Sequence, residues 1–168
     1  MCAGDGRDIL PVLAEHDGVR PVTALLVELD PALSGRARST ALGLGLAGVE
    51  VRTADAGRVD VYRHFVPAHV VLACGVFGNV SVADVRRTID ALPSLLAAGG
   101  FVIWTRGRGA GRIDPSLAIR ESFRDGGFQE VSFTVPVDDR FRVGMHRLGG
   151  EPDARRRPPP GTRLFTFA

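Results

Sequence analysis

The stretch PVTALLVELDP (residues 21–31) changes character within a few positions. Up to Val27 it is apolar and rich in β-branched residues, the composition of a strand buried on both faces. Asp30 and Pro31 then follow, a side chain suited to cap a helix and a residue suited to the first helical position. A buried strand that runs straight into a helix is half of a strand–helix–strand unit. Repeating that unit builds a parallel sheet with right-handed crossovers.

Downstream of Pro31 the alternation continues. DPALSGRARSTALGLGLAG (30–48) reads as a helix weakened toward its end by Gly43, Gly45 and Gly48. VEVRTAD (49–55) alternates as a strand, and AGRVDVYRHFVPA (56–68) holds a short helix ended before Pro67. HVVLACG (69–75) is the next buried strand. SVADVRRTIDALPSLLAAGG (81–100) then carries apolar residues at helical spacing: Val82, Val85, Ile89, Leu92, Leu95 and Leu96. Ser81 and Asp84 resemble a capping box, Pro93 is expected to bend this helix, and Gly99-Gly100 to stop it. FVIWTR (101–106) is a further strand.

After the flexible loop at 106–114 the pattern shifts. A helix over 114–127 is capped by Asp114, with Pro115 at its first position. FQEVSFTVP (128–136) and RFRVGMHRL (140–148), joined by VDD, read as a hairpin that adds antiparallel strands at one edge. Residues 1–150 are therefore expected to form one α/β domain. Residues 151–168 are expected to form a Pro/Arg-rich linker and a last edge strand, TRLFTFA (162–168).

Upstream of Pro21, MCAGDGRDIL (1–10) looks like a ligand-binding turn. Ligands of open parallel sheets bind beyond the carboxyl ends of the strands. Glycines such as Gly4 and Gly6 let backbone N–H groups approach a ligand there. A carboxylate about 20 positions further on, ending the second strand, accepts hydrogen bonds from ribose hydroxyls. Glu28 stands at that distance from Gly6. Asp55 after the next strand fits either the exocyclic amino group of adenine, with the Ala56 backbone beside it, or a helix cap. Cys74 and Gly75 leave room for a ligand or simply pack in the core. Phe77 covers a ligand or belongs to the core, and Asn79 orients a substrate or caps the helix near Ser81.

Composition narrows the function classes. The chain of 168 residues has a net charge of +2, and all its basic side chains other than histidine are Arg, interleaved with acids rather than forming a stripe. That pattern argues against a nucleic-acid-binding face. No apolar stretch is long enough to cross a membrane, and no secretory signal opens the chain. Two cysteines, Cys2 and Cys74, make no disulfide framework, so reduced, cytoplasmic thiols are expected. His16, His64, His69 and His146 lack metal-ligand spacing, so no metal is expected.

Taken in order, CAGDGRD, LLVELDP, TADAG, VVLACGVFGNV and LLAAGGFVIWT resemble the class I S-adenosylmethionine-dependent methyltransferases, most closely small bacterial members. The resemblance covers residues 1 to 106 well and extends to the helix and hairpin at 114–147. It implies a Rossmann-like sheet ordered 3-2-1-4-5-7-6, mostly parallel, with strand 7 antiparallel. The first strand is missing or truncated, since it would precede the glycine turn. Losing a central strand would leave a gap of roughly 10 Å between its neighbours or expose unpaired backbone, so the natural chain is expected to start upstream. The resemblance also implies S-adenosylmethionine as cofactor. Cys2, Gly4 and Gly6 would match the three glycine positions of the first motif, with Ala3 and Asp5 between them. Glu28, with Leu29 beside it, would match the ribose-binding acid, Asp55 and Ala56 the adenine-side pair, and Cys74, Gly75 and Val76 the loop near the methyl group. Cys2 departs from glycine. No catalytic residue stands out: His64, His69, Asp84 and Tyr62 are weak candidates for a base, which methyl transfer does not require. The acceptor is expected to be a small molecule. Two other readings stay open: a non-catalytic methyltransferase-like binding module, and a nicotinamide-dependent oxidoreductase, the latter opposed by Ile9 at the place of the third glycine.

Overall fold

The computed structural model describes residues 1–16, 22–109, 114–150 and 158–167, which form two compact units, Met1–Ala56 and Gly57–Ala168. In the first unit α1 (Leu10–His16) precedes β1 (Ala24–Glu28), α2 (Pro31–Gly43) and β2 (Val49–Thr53). The sequence pattern does not announce α1, whose second residue is Pro11, a residue that breaks helix interiors. In the first turn of a helix, however, proline displaces no hydrogen bond. Leu10 is fully buried with Leu26, Ala37, Ala41 and Leu46. The helix exists because this apolar cluster needs its side chain. β1 and β2 pair in parallel from Ala24–Val49 to Glu28–Thr53. Asp30 caps α2 as expected, its carboxylate accepting from the Ala32 and Leu33 amides.

The second unit holds β3 (Ala68–Ala73), α3 (Val82–Ala91), β4 (Leu96–Gly107), α4 (Ser116–Asp125), β5 (Phe128–Thr134) and β6 (Phe141–Leu148). Its sheet runs β3-β4-β6-β5: β3 and β4 are parallel, and β6 is antiparallel to both β4 and β5. The expected order 3-2-1-4-5-7-6 is thus present in two pieces, 3-2 in the first unit and 4-5-7-6 in the second. Residues 1–3 form no strand, but the Ala3 N–H donates to the Val27 carbonyl at 2.9 Å. An aromatic stack fills the second unit. Trp104 lies parallel to Phe123 at 6.2 Å, and the His146 ring stacks on Phe123 at 4.2 Å. Gly144 makes this possible, since a Cβ there would stand 2.3 Å from the indole.

Five expectations are corrected. The helix begun at Ser81 stops at Ala91 rather than at Gly99-Gly100. Pro93 cannot donate to the helix, so the chain tightens into a 3₁₀ turn at Leu92–Ser94, and β4 already starts at Leu96. Leu95 and Leu96 are buried, but as the entry to a strand. The capping box is half made. Ser81 accepts from the Asp84 amide, while the Asp84 carboxylate holds Arg87 and the Thr166 amide. The short helix before Pro67 is a 3₁₀ turn, Val59–Tyr62. TRLFTFA is not a strand. Arg163 and Phe167 make isolated bridges to Arg58 and Val80, and Leu164 and Phe165 are buried. Asp114 is not the N-cap of α4: the helix opens at Ser116 with Pro115 at the cap position, and Asp114, one residue further out, accepts from the Ser116 amide. Much of the loop at 106–114 and of the 149–161 linker lies outside the described residues.

Candidate functional site

In the first unit the parallel pairing with β2 carries Glu28 to the carboxyl end of β1, where the chain turns into α2. Its carboxylate is fixed from two sides. Oε2 accepts from the Gly4 amide at 2.8 Å, and Oε1 accepts from the Asp30 amide at 2.9 Å. A carboxylate offers about four acceptor positions, so these two bonds leave capacity for hydroxyl donors. Gly4 has φ +56, a left-handed conformation that favours glycine, and nothing lies within 4 Å of where its Cβ would stand. Gly6 is glycine for a different reason: a Cβ there would meet Leu10 at 2.6 Å and Leu26 at 3.1 Å. One glycine leaves space beside the carboxylate, and the other lets the turn press onto the core.

Both glycine amides have partners within the chain. The Gly4 N–H is taken by Glu28 and the Gly6 N–H by the Ala3 carbonyl. The turn's work is to hold the carboxylate. Asp5 is tied to Arg7 at 2.5 Å, and that guanidinium lowers its carboxyl to about 2. Cys2 has φ +53, a strained conformation for a residue with a Cβ. Burial pushes its thiol up to about 11, with the charges of Glu28 and Asp55 adding to the shift, so at neutral pH it is no nucleophile. Leu29 is 64% exposed beside Glu28, and Ala56 is buried. The Ala54 amide donates to the Glu28 carbonyl, which places the segment leading to Asp55 against the end of β1.

In the second unit Cys74, Gly75 and Val76 open the turn that follows β3. Gly75 has φ +71, and nothing lies within 4 Å of its Cβ position. Val76 is fully buried. Phe77 is core, packed at 6.2 Å from both Trp104 and Phe123. Asn79 is not the helix cap, which is Ser81; it is exposed and closes the turn. Its amide donates to the Gly75 carbonyl at 2.7 Å. Thr105, at the end of β4, accepts from the Gly75 amide at 2.9 Å, and Arg106 donates to the Phe77 carbonyl. Sequence reasoning passed over Thr105 and Arg106, since nothing in FVIWTR distinguishes a strand end that braces a turn.

Among the weak base candidates, Tyr62 is buried and Asp84 is engaged at the start of α3. Among the described residues no group of three histidine, cysteine or acidic side chains is placed to hold a metal, and no helix is long and apolar enough to cross a membrane.

Comparison with known proteins places this fold. No family model and no curated protein sequence matches the chain. Among solved structures it is similar to magnesium protoporphyrin IX methyltransferase (ChlM) from Synechocystis PCC 6803 with bound SAM, at 17% identity and a TM-score of 0.63 over 87% of this chain and 66% of that one. An O-methyltransferase family protein from Burkholderia thailandensis matches at 18% identity and a TM-score of 0.68 over 90% of this chain and 50% of that one. The [4+2]-cyclase SpnF matches at 15% identity and a TM-score of 0.63 over 86% of this chain and 71% of that one. The chain therefore has the Rossmann-like fold of S-adenosylmethionine-dependent methyltransferases, and it spans half to two-thirds of the length of the two methyltransferases.

Proposed function

We propose that the chain binds S-adenosylmethionine and directs its methyl group to a small-molecule acceptor. The observation that carries this reading is the Glu28 carboxylate. It sits at a strand's carboxyl end, held by the Gly4 and Asp30 amides, with acceptor capacity left over and unfilled space beside Gly4. A ribose diol donates two hydrogen bonds to such a group. The exposed side chain of Leu29 offers an apolar surface for a purine, with Asp55 and Ala56 on the adenine side. Cys74, Gly75 and Val76 would line the part of the site nearest the methyl group. When bound, the cofactor supplies an electrophilic methyl on a sulfonium. The protein's tasks are then alignment and exclusion of water, which need no general base. The cytoplasm is the proposed location, and neither a nucleic acid nor a membrane is the proposed partner.

One observation favours a second reading, a binding module without turnover. The glycine amides are spent inside the turn, and Cys2 strains it. SpnF bears a cyclase name on a similar fold, so fold alone does not fix the reaction. Calorimetry with S-adenosylmethionine, S-adenosylhomocysteine and NAD separates these readings and the nicotinamide alternative. S-adenosylhomocysteine is expected to bind, and Glu28→Ala to weaken it by about 1.5 to 3 kcal/mol, the worth of a hydrogen bond to a charged group. A folded wild-type protein that binds none of the three ligands sinks the proposal. Binding of NAD alone moves it to the oxidoreductases.

A further inference from the structure

Resting on that reading, we infer that Thr105 is a positioning residue for the cofactor, acting through the turn Cys74–Asn79. Gly75 is one of two glycines in this turn, with Gly78, and the one at positive φ; a glycine adopts either sign of φ at little cost. In the structure it is held at φ +71, and both its backbone polar groups are occupied. Thr105 Oγ1 accepts from its N–H at 2.9 Å, and Asn79 Nδ2 donates to its carbonyl at 2.7 Å. The two partners differ in what anchors them. Asn79 belongs to the turn itself, its own N–H donating to the Val76 carbonyl at 2.9 Å, so it closes the turn without fixing it to the sheet. Thr105 stands on β4 one residue past its last register pair with β3, Ala73–Trp104, and is paired on the other side with β6, where it faces Val143. Its hydroxyl is the point at which a rigid strand sets the plane of the Gly75 peptide.

Arg106, the next residue of β4, adds a second hold by donating to the Phe77 carbonyl. Two consecutive residues of β4, both paired with β6, thus grip the turn two residues apart, at Gly75 and Phe77. Between these grips Val76 is buried, while among the described residues no atom other than those of its chain neighbours lies within 4 Å of where a Gly75 Cβ would stand. A ligand resting there meets backbone whose orientation is fixed before it arrives. Without the Thr105 hydroxyl the Gly75 N–H loses its partner, and the ligand must order the turn as it binds. That ordering cost appears as lost affinity.

The test compares Thr105→Val, which keeps the branched shape and removes the acceptor, with Thr105→Ser, which keeps the acceptor and removes a methyl. S-adenosylhomocysteine is titrated calorimetrically into each full-length protein, with circular dichroism to confirm folding. Thr105→Val is expected to lower affinity about tenfold, the scale of one net hydrogen bond, while Thr105→Ser stays within about twofold of wild type. Asn79→Ala, which frees the Gly75 carbonyl from the exposed side, is expected to shift affinity in the same direction and serves if the valine variant does not fold. Unchanged affinity in a folded Thr105→Val protein overturns the inference while leaving the cofactor reading intact. Equal losses in valine and serine variants also overturn it, since packing rather than the hydroxyl would be at work. A wild-type protein that does not bind S-adenosylhomocysteine removes the reading itself, and the inference with it.

Discussion

Two glycine turns sit at the carboxyl ends of strands in this chain, and they are built in opposite ways. The turn at residues 2–6 is held by a charged group, Glu28, which accepts the Gly4 amide. The turn at 74–79 is held at Gly75 by neutral groups, the Thr105 hydroxyl and the Asn79 amide, and at Phe77 by the Arg106 guanidinium. The first presses on its core, with Leu10 and Leu26 against Gly6, and carries a strained Cys2. The second has its buried side chains at Val76 and Phe77 and open space at Gly75. A charged clamp is stronger than a neutral one and can serve a ligand with its spare acceptor sites. At Gly75 the neutral clamp orients the backbone of a turn proposed to lie near a sulfonium, while the Arg106 charge is held two residues on, at the Phe77 carbonyl.

The largest expected contrast between the two units is their response to acid. His146 is 1% exposed, and its Nδ1 accepts from the Trp104 indole N–H at 3.1 Å. Burial lowers its pKa from 6.5 to about 4; the Glu130 carboxylate, 3.6 Å from Nε2, opposes that shift, and Arg120 adds to it. The unfolded chain therefore takes up a proton near pH 6.5 that the folded chain refuses until about pH 4. Stability of the second unit is complete above pH 6.5 and falls by about 3 kcal/mol as pH drops through that window. Trp104 is the only tryptophan, so its fluorescence during denaturant unfolding reads this unit directly. Midpoints that stay constant from pH 7 to pH 4 would refute the assignment.

Smaller substitutions sharpen the contrast between the turns. Gly6→Ala adds a Cβ against Leu10 and Leu26 at φ +76 and is expected to cost about 2 kcal/mol of stability. Gly75→Ala meets no neighbour and is expected to cost only about 1 kcal/mol, from its left-handed backbone. Equal losses in thermal or urea unfolding would mean that the two glycines are alike after all. Cys2→Gly is expected to do the reverse. Releasing a Cβ from φ +53 should raise stability by about 0.5 kcal/mol or more, after the extra freedom that glycine brings to the unfolded chain. A loss of stability in urea titrations would show that the thiol's burial outweighs the backbone strain.

Much of this architecture is written locally. The run ending in Glu28, the Asp30 cap and Pro31 specify strand, boundary and helix within a few residues, and all three stand where the pattern puts them. The hairpin of β5 and β6 is legible for the same reason, since alternation and turn residues are short-range signals. The pairing of glycine turn and carboxylate was also legible, because that ligand chemistry demands particular residue types at a particular separation.

Where local signals compete, the sequence misleads. The apolar stripe from Val82 through Leu96 fits one long helix, yet Pro93 and the demand of β3 for a parallel partner turn its second half into β4. The apolar residues of TRLFTFA read as a strand, yet the segment buries Leu164 and Phe165 with no ladder to join.

The chain alone determined its alternating elements, its parallel and antiparallel pairings and the carboxylate at the end of β1, because those follow from periodicity and from caps that act within one turn. Tertiary structure decided which way the polar groups are spent. It turned the glycine amides inward, made Asn79 a brace, buried Phe77 and His146, and set Thr105 on the Gly75 amide from 30 residues away. Such bonds join residues with no spacing rule between them, so they exist only once the strands have paired.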